Sequence, residues 1–191
     1  MSNNETARRA ATRWLVRPTG LPLIRRHCLN CTSTRYRAHG KFRVNANHKL
    51  LDVWLLALCV GCGETIKLTV MERTHVRAID PELLARLHAN DLELAAKLLI
   101  DPGVLHRNSI TLDWEGAWSL RTRAVDLSGV ELIDTSVRFA QRIPIRVTKL
   151  LSLGLGVSRA GVERLVADGR ISSARRLGGH ASADFGFTLR Q

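Results

Sequence analysis

Cys28-Leu29-Asn30-Cys31 and Cys59-Val60-Gly61-Cys62-Gly63 hold all four cysteines of the chain, with 27 residues between the two pairs. A soft divalent metal asks for thiolates at the corners of a tetrahedron, and two residues between paired cysteines let one tight turn aim both sulfurs at a single ion. Gly61 and Gly63 admit the positive φ angles that such a turn often needs. The spacing therefore predicts a closed site for structural Zn(II) on Cys28, Cys31, Cys59 and Cys62, with no position open to water and so no metal-based catalysis. Disulfides or free dithiols are the competing readings; nothing suggests secretion, and reducing cytosol disfavours disulfides. His27, His39 and His48 lie close enough in sequence to replace one cysteine, although isolated histidines are more often solvated side chains.

Around the cysteines the pattern is that of strands. Trp14-Leu15-Val16 reads as a short strand stopped by Pro18-Thr19-Gly20-Leu21-Pro22. Lys41 to Ala46 alternates apolar and polar residues, Asn47-His48 suits a hairpin turn, and Leu50 to Cys59 is a denser apolar run that leads into the second pair. Thr65 to Met71 supplies another strand. Strand, metal turn, hairpin, metal turn and strand is the plan of a zinc ribbon, one too thin to fold without its ion.

Downstream, Asp80-Pro81-Glu82 is a helix start, with a capping carboxylate, proline at the first helical position and an acid near the positive dipole end. A second helix is expected from about Asp91 to Ile100, stopped by Asp101-Pro102-Gly103. Ile110, Leu112, Trp114, Gly116, Trp118 and Leu120 fall on alternate positions, the pattern of a strand or hairpin with one buried face. On that reading the tryptophans are core, and Asp113 and Glu115 lie on a solvated face.

The chain carries 29 Lys+Arg against 17 Asp+Glu, a formal +12, with 45% hydrophobic residues. Its apolar runs are too short to span a bilayer, and its start lacks a charged-then-apolar signal, so a soluble cytoplasmic protein is expected. The charge is uneven: residues 1–79 carry +10, residues 80–139 carry −4 and residues 140–191 carry +6. Two basic stretches around an acidic one point to a polyanionic partner, nucleic acid ahead of a membrane surface. In the ribbon, Arg35, Tyr36, Arg37, Lys41 and Arg43 form a candidate surface on which Tyr36 would stack against an unpaired base. No Ser-His-Asp grouping, phosphate-cradling glycine loop or open metal site argues for an enzyme.

After Pro144, Val147, Leu150 and Leu151 line one short helix, Gly154 and Gly156 break it, and Ser158 caps a second helix that Gly169 ends. Arg170-Ile171-Ser172 leads into a strand whose partner is Phe185 to Leu189. Arg146, Lys149 and Leu151, then Gly156, Ser158 and Arg159, then Arg164, Leu165, Gly169, Arg170 and Ile171 fall in the order of a known pattern. This stretch resembles the alpha-L RNA-binding motif of a small-ribosomal-subunit protein and of bacterial pseudouridine synthases. The resemblance implies contacts to structured RNA or the ribosome by Arg146, Lys149, Ser158, Arg159, Arg164, Arg170, Arg175 and Arg176. Lys41 to Asn47 and Leu51-Asp52-Val53-Trp54-Leu55, set between the cysteine pairs, are similar to an uncharacterised bacterial family catalogued as domain of unknown function number ten sixty-two.

Together these readings predict an α+β chain: a flexible basic arm over 1–13, a zinc ribbon over 14–79, a small acidic α+β middle module over 80–139, and an alpha-L-like helical hairpin with short strands over 140–191. The expected function is non-enzymatic, zinc-stabilised nucleic-acid binding, with RNA favoured over DNA. A DNA-binding helix-turn-helix regulator and a zinc-ribbon protein–protein adaptor are the alternatives.

Overall fold

The computed structural model describes residues 8–123 and 128–191. Its strands, in chain order, are β1 (Arg9–Pro18), β2 (Leu23–Arg25), β3 (Arg35–Asn47), β4 (Leu50–Cys59), β5 (Thr65–His75) and β6 (Thr111–Asp113), followed by β7 (Trp118–Thr122), β8 (Leu132–Phe139), β9 (Ile145–Arg146), β10 (Ile171–Ser172), β11 (His180–Ala181) and β12 (Phe185–Arg190). The α-helices are α1 (Pro81–His88), α2 (Leu92–Leu99), α3 (Pro102–Arg107), α4 (Val147–Leu155) and α5 (Arg159–Ala167). The chain forms two compact units: Leu21–Glu115 is one, and the chain on either side of it builds the other.

The inner unit is a five-stranded sheet in the order β5-β4-β3-β2-β6. Strand β4 alternates strictly, so Leu51, Val53, Leu55, Ala57 and Cys59 are buried while the residues between them are half-buried. Helices α1 and α2 cover the buried face through Leu87, Leu94, Ala95 and Leu99, which join Val53, Leu55, Leu68 and Tyr36 in one core. Each such aliphatic side chain contributes about 1.5–3 kcal/mol by leaving water. Asp80, Asp91 and Asp101 cap the three helices by accepting from the amides of Glu82, Leu94 and Val104. Asp101-Pro102-Gly103 thus opens α3, with the proline in its first turn, instead of merely ending α2.

The outer unit holds a second five-stranded sheet, β10-β12-β8-β1-β7, and a two-stranded pair, β11-β9. Strand β8 is central, and β1 lies between it and the edge strand β7, parallel to β8 and antiparallel to β7. Ile133, Val137, Phe187, Trp14 and Val16 are buried, as are Val147, Leu150 and Leu151 of α4 and Val162 of α5. Ser158 caps α5 by accepting from the Gly161 amide at 3.1 Å.

Several expectations are corrected. The protein is mostly β, not α+β: its helices have six to nine residues and are outnumbered by strands. There is no C-terminal helical-hairpin module, because β12 pairs along β8 and β10 pairs with β12, so this stretch completes a sheet. Nor is there a middle module, since α1–α3 pack on the ribbon strands while β7 and β8 join β1. The proposed arm is also displaced: Arg9–Arg13 pair residue by residue with Leu132–Ser136, and the Arg9 guanidinium meets Asp134 at 3.0 Å. Residues 1–7 of that arm lie outside the described residues. The alternation from Ile110 to Leu120 spans two strands, with Trp114 in the inner unit and Trp118 in the outer one.

Among the described residues, no helix is long and apolar enough to cross a membrane.

Candidate metal centre

The β2–β3 connection carries Cys28 and Cys31, Cys59 ends β4, and the β4–β5 turn carries Cys62. The four sulfurs lie within 4.8 Å of one another, with Cys28 Sγ to Cys62 Sγ and Cys31 Sγ to Cys59 Sγ both 3.6 Å. A tetrahedron with metal–sulfur legs of about 2.3 Å has edges of about 3.8 Å, so the cluster has the size of a four-thiolate metal site. The cysteines are free thiols, not disulfides. His27, His39 and His48 do not belong to the cluster.

Local backbone builds each half. The amides of Asn30, Ser33 and Gly61 point at Cys28, Cys31 and Cys59 sulfurs from 3.4, 3.5 and 3.4 Å, each from two residues further along. Cys28 N donates to Ser33 O and Cys59 N to Glu64 O, both at 2.8 Å, which closes the two turns. The Asn30 side-chain amide reaches Glu64 Oε2 at 2.8 Å and links one turn to the other. Gly61 leaves little space for a side chain: a Cβ there would lie 3.1 Å from both Cys31 Sγ and Ser33 Cβ.

The electrostatics favour a bound cation. The buried Tyr36 hydroxyl acts on the Cys28 sulfur and lowers its thiol pKa; the same interaction raises that of Tyr36 well above the ordinary phenol range. Burial pushes Cys59 up, but the Cys62 and Gly61 amides more than offset it and bring it to about 6. The Glu64 amide favours a charged Cys62, yet burial and the neighbouring sulfurs drive it up to about 12. Four sulfurs so close cannot all be thiolates unaided, and a divalent ion at their centre removes that repulsion. An ion held by all four cysteines would have no coordination position left for water.

Tyr36 was expected on the exposed surface, as a base-stacking residue. It is 1% exposed because its neighbours on β3, not Tyr36 itself, face outward. Its hydroxyl acts on Cys28 of the cluster, and hydrogen-bond partners of metal ligands commonly matter about 10–100-fold in affinity. Tyr36→Phe is expected to weaken metal binding by about tenfold in a chelator competition with the fold intact, and an unchanged affinity would remove the phenol from the site.

The remaining expected residues fall into two groups. Arg35, Arg37, Lys41 and Arg43 are exposed along β3. In the outer unit Arg146, Ser158, Arg159, Arg164, Arg170 and Arg176 are exposed, and Ser158 is engaged as the α5 cap. Lys149 and Arg175 are half-buried, their cations 5.8 Å from the Trp118 ring and 5.0 Å from the Phe185 ring. The sequence reading missed Asp113: it is 5% exposed and meets Arg25 at 3.3 Å and Arg35 at 3.4 Å. Burial would raise its pKa, but the Glu115 amide and Arg25 outweigh this and hold it below the ordinary carboxylate range. Arg25, Arg26, His27, Thr34 and Arg35 line a cleft of 350 Å³ beside the first cysteine turn.

No curated protein and no solved structure matches the chain. Comparison with family models gives no support for the alpha-L resemblance drawn from Arg146 to Ile171, and that assignment is corrected: those residues lie within a different family match, which runs over residues 44–177. That match spans well over half of the chain, from the second half of β3 through both outer-unit helices, and the protein therefore belongs to the family described as protein of unknown function (DUF1062).

Proposed function

We propose that this is a non-enzymatic nucleic-acid-binding protein, cytoplasmic and stabilised by one structural Zn(II) on Cys28, Cys31, Cys59 and Cys62, with RNA favoured over DNA. Zinc is favoured because a tetrahedral set of four thiolates suits it and needs no redox chemistry. The observation that carries the binding assignment is a run of exposed cations, Arg35, Arg37, Lys41 and Arg43, on a strand of the unit that holds the metal cluster. The outer unit adds exposed Arg146, Arg159, Arg164 and Arg170 to a chain of formal charge +12. A charge of this sign and density attracts polyphosphate and releases its counterions.

If six phosphates are neutralised, log K for a labelled RNA should fall against log salt with a slope of roughly −4 to −5. Fluorescence polarisation from low to moderate salt reads the slope, and competing duplex DNA at one salt concentration reads the preference. A flat response to salt removes the assignment.

A further inference from the structure

We propose that the outer face of the inner-unit sheet is a platform for single-stranded RNA, with Trp54 as the base-stacking side chain and the β3 cations as the phosphate track. This rests on the nucleic-acid reading above and adds to it the surface and the state of the strand it takes.

The register assigns the face. Tyr36, Ala38 and Val44 share the core side of β3, so Arg35, Arg37 and Arg43 take the other. A bulge between Ala38 and Phe42 places three β3 residues opposite Leu56 alone. Because two residues are added, the strand keeps its faces: Ala38 opposite Ala57 and Phe42 opposite Leu55 both point to the core, and Lys41 stays with the outer cations. On β4 the outer positions are Leu50, Asp52, Trp54, Leu56 and Leu58, half-buried and absent from the core; the Asp52 carboxylate, which accepts from the Arg73 amide, lies beyond Trp54. Arg43 is directly opposite Trp54, Arg37 opposite Leu58, and Lys67 of β5 opposite Leu56. At the sheet's other side Arg25 is directly opposite Arg35.

The face thus has an apolar ridge ending in an indole, bordered by cations on both neighbouring strands. The Lys67 ammonium lies over the Trp54 ring, 5.5 Å from its centroid, so a base stacking on that face displaces the ammonium, which is then free to meet the base's own phosphate. Alternate residues of a strand are about 7 Å apart, so Arg35 and Arg37 step along an extended chain at about one cation per nucleotide. Asp113 fixes Arg25 and Arg35 by ion pairs, which pre-orders part of the track. An aromatic ridge with flanking arginines on an open sheet suits unpaired bases, whose faces are free to stack; paired bases are stacked already, and a duplex would meet only the cations. Long unpaired strands in a cell are chiefly RNA.

The test uses the full zinc-loaded chain and a fluorescein-labelled oligouridylate of about twelve nucleotides, within the usual site size of a stacking platform. Its arms are a hairpin RNA, an oligothymidylate of the same length, and unlabelled polyglutamate as competitor. The wild type should bind the oligouridylate more tightly than the hairpin. Trp54→Ala should weaken the oligouridylate at least about fivefold, given about 1–3 kcal/mol per stacked base, with the salt slope and zinc content unchanged and Trp54→Phe restoring part of the loss. Arg37→Gln with Arg43→Gln should reduce the slope by about 2. An unchanged affinity in Trp54→Ala overturns the platform, and the general nucleic-acid reading survives if the wild type still shows a steep slope. Equal binding of the hairpin overturns the single-strand assignment, tighter oligothymidylate binding overturns the RNA assignment, and efficient polyglutamate competition shows a surface for acidic protein. A wild type that binds no nucleic acid at low salt overturns this proposal and the reading beneath it together.

Discussion

Stripping the metal with a strong chelator is expected to lower the thermal midpoint of the inner unit by 20 °C or more and to leave the outer unit's transition in place. A structural zinc in a minimal finger supplies about 10–16 kcal/mol of folding free energy, because the unfolded chain offers no formed site. The inner unit is not minimal, since α1 and α2 pack on its sheet and bury Leu87, Leu94 and Leu99 with Val53, Leu55 and Leu68. Only part of that free energy is therefore decisive here. Yet Cys28 and Cys59 are themselves core residues, and without an ion their thiolates face one another across 4.8 Å or less. A loss of about 5 kcal/mol is a large share of the roughly 5–15 kcal/mol that stabilises a domain. For the 95 residues of Leu21–Glu115 it corresponds to about 20–40 °C at about 4–8 °C per kcal/mol. The ligands must be thiolates, so the same loss should appear without chelator as the pH falls through the mildly acid range: protons then compete for sulfurs such as Cys59, whose pKa lies at about 6. Scanning calorimetry with and without added Zn(II), together with metal analysis giving one ion per chain, makes the measurement. A midpoint that ignores the chelator in a protein shown to be metal-free would end the account of the cysteines as a structural centre.

What the sequence disclosed is what neighbouring residues decide. The cysteine pairs were legible because each turn is made within about six residues, and the caps Asp80 and Ser158 because a cap is an interaction over two or three positions. Strand β4 was legible because one residue in two is buried along its whole length. Asp101-Pro102-Gly103 misled because aspartate and proline serve equally to end one helix and to begin the next. The hydrophobic alternation from Ile110 to Trp118 misled for a similar reason: its period carries across the turn at Gly116, φ +75, although the chain changes unit there. Strand β1 was read only at Trp14-Leu15-Val16; its extension over Arg9–Arg13 was out of reach, because its neighbour β8 begins more than a hundred residues later and parallel pairing leaves no local trace. Asp113 looked like one of two solvated acids until β2 and β3 brought Arg25 and Arg35 to it. The same register buried Tyr36 and set Trp54 beside the β3 cations. The cysteine cluster was thus readable by spacing alone, whereas the surrounding surface depended on which strands lie side by side.

The second large effect is expected at Gly154. Gly154 and Gly156 read as a helix break, and α4 ends between them at Leu155 with Gly156 as its left-handed cap; Gly154 itself is helical, at a point where a side chain does not fit. A Cβ at this point would lie 2.2 Å from Trp14 Cη2 and 2.3 Å from Cζ3, far inside contact distance. The indole has little room to yield: Trp14 is 4% exposed and sits edge-on to Phe187 at 5.2 Å between ring centroids, and Phe187 is itself 3% exposed. Gly154→Ala therefore sets two effects against each other. Alanine's better helix propensity favours the substitution by up to about 1 kcal/mol, while forcing a methyl into a packed core costs about 1–3 kcal/mol, and a rigid ring as obstacle puts this site at the upper end. The packing effect wins, and a net loss of about 2 kcal/mol should lower the outer unit's midpoint by roughly 8–16 °C, without change in zinc content. Because the obstacle is one identified ring, Trp14→Phe in the Gly154→Ala background should recover part of the loss, giving a coupling of about 0.5–3 kcal/mol in a double-mutant cycle. A Gly154→Ala protein as stable as the wild type, or additive effects of the two substitutions, would show that α4 and β1 do not meet through this glycine.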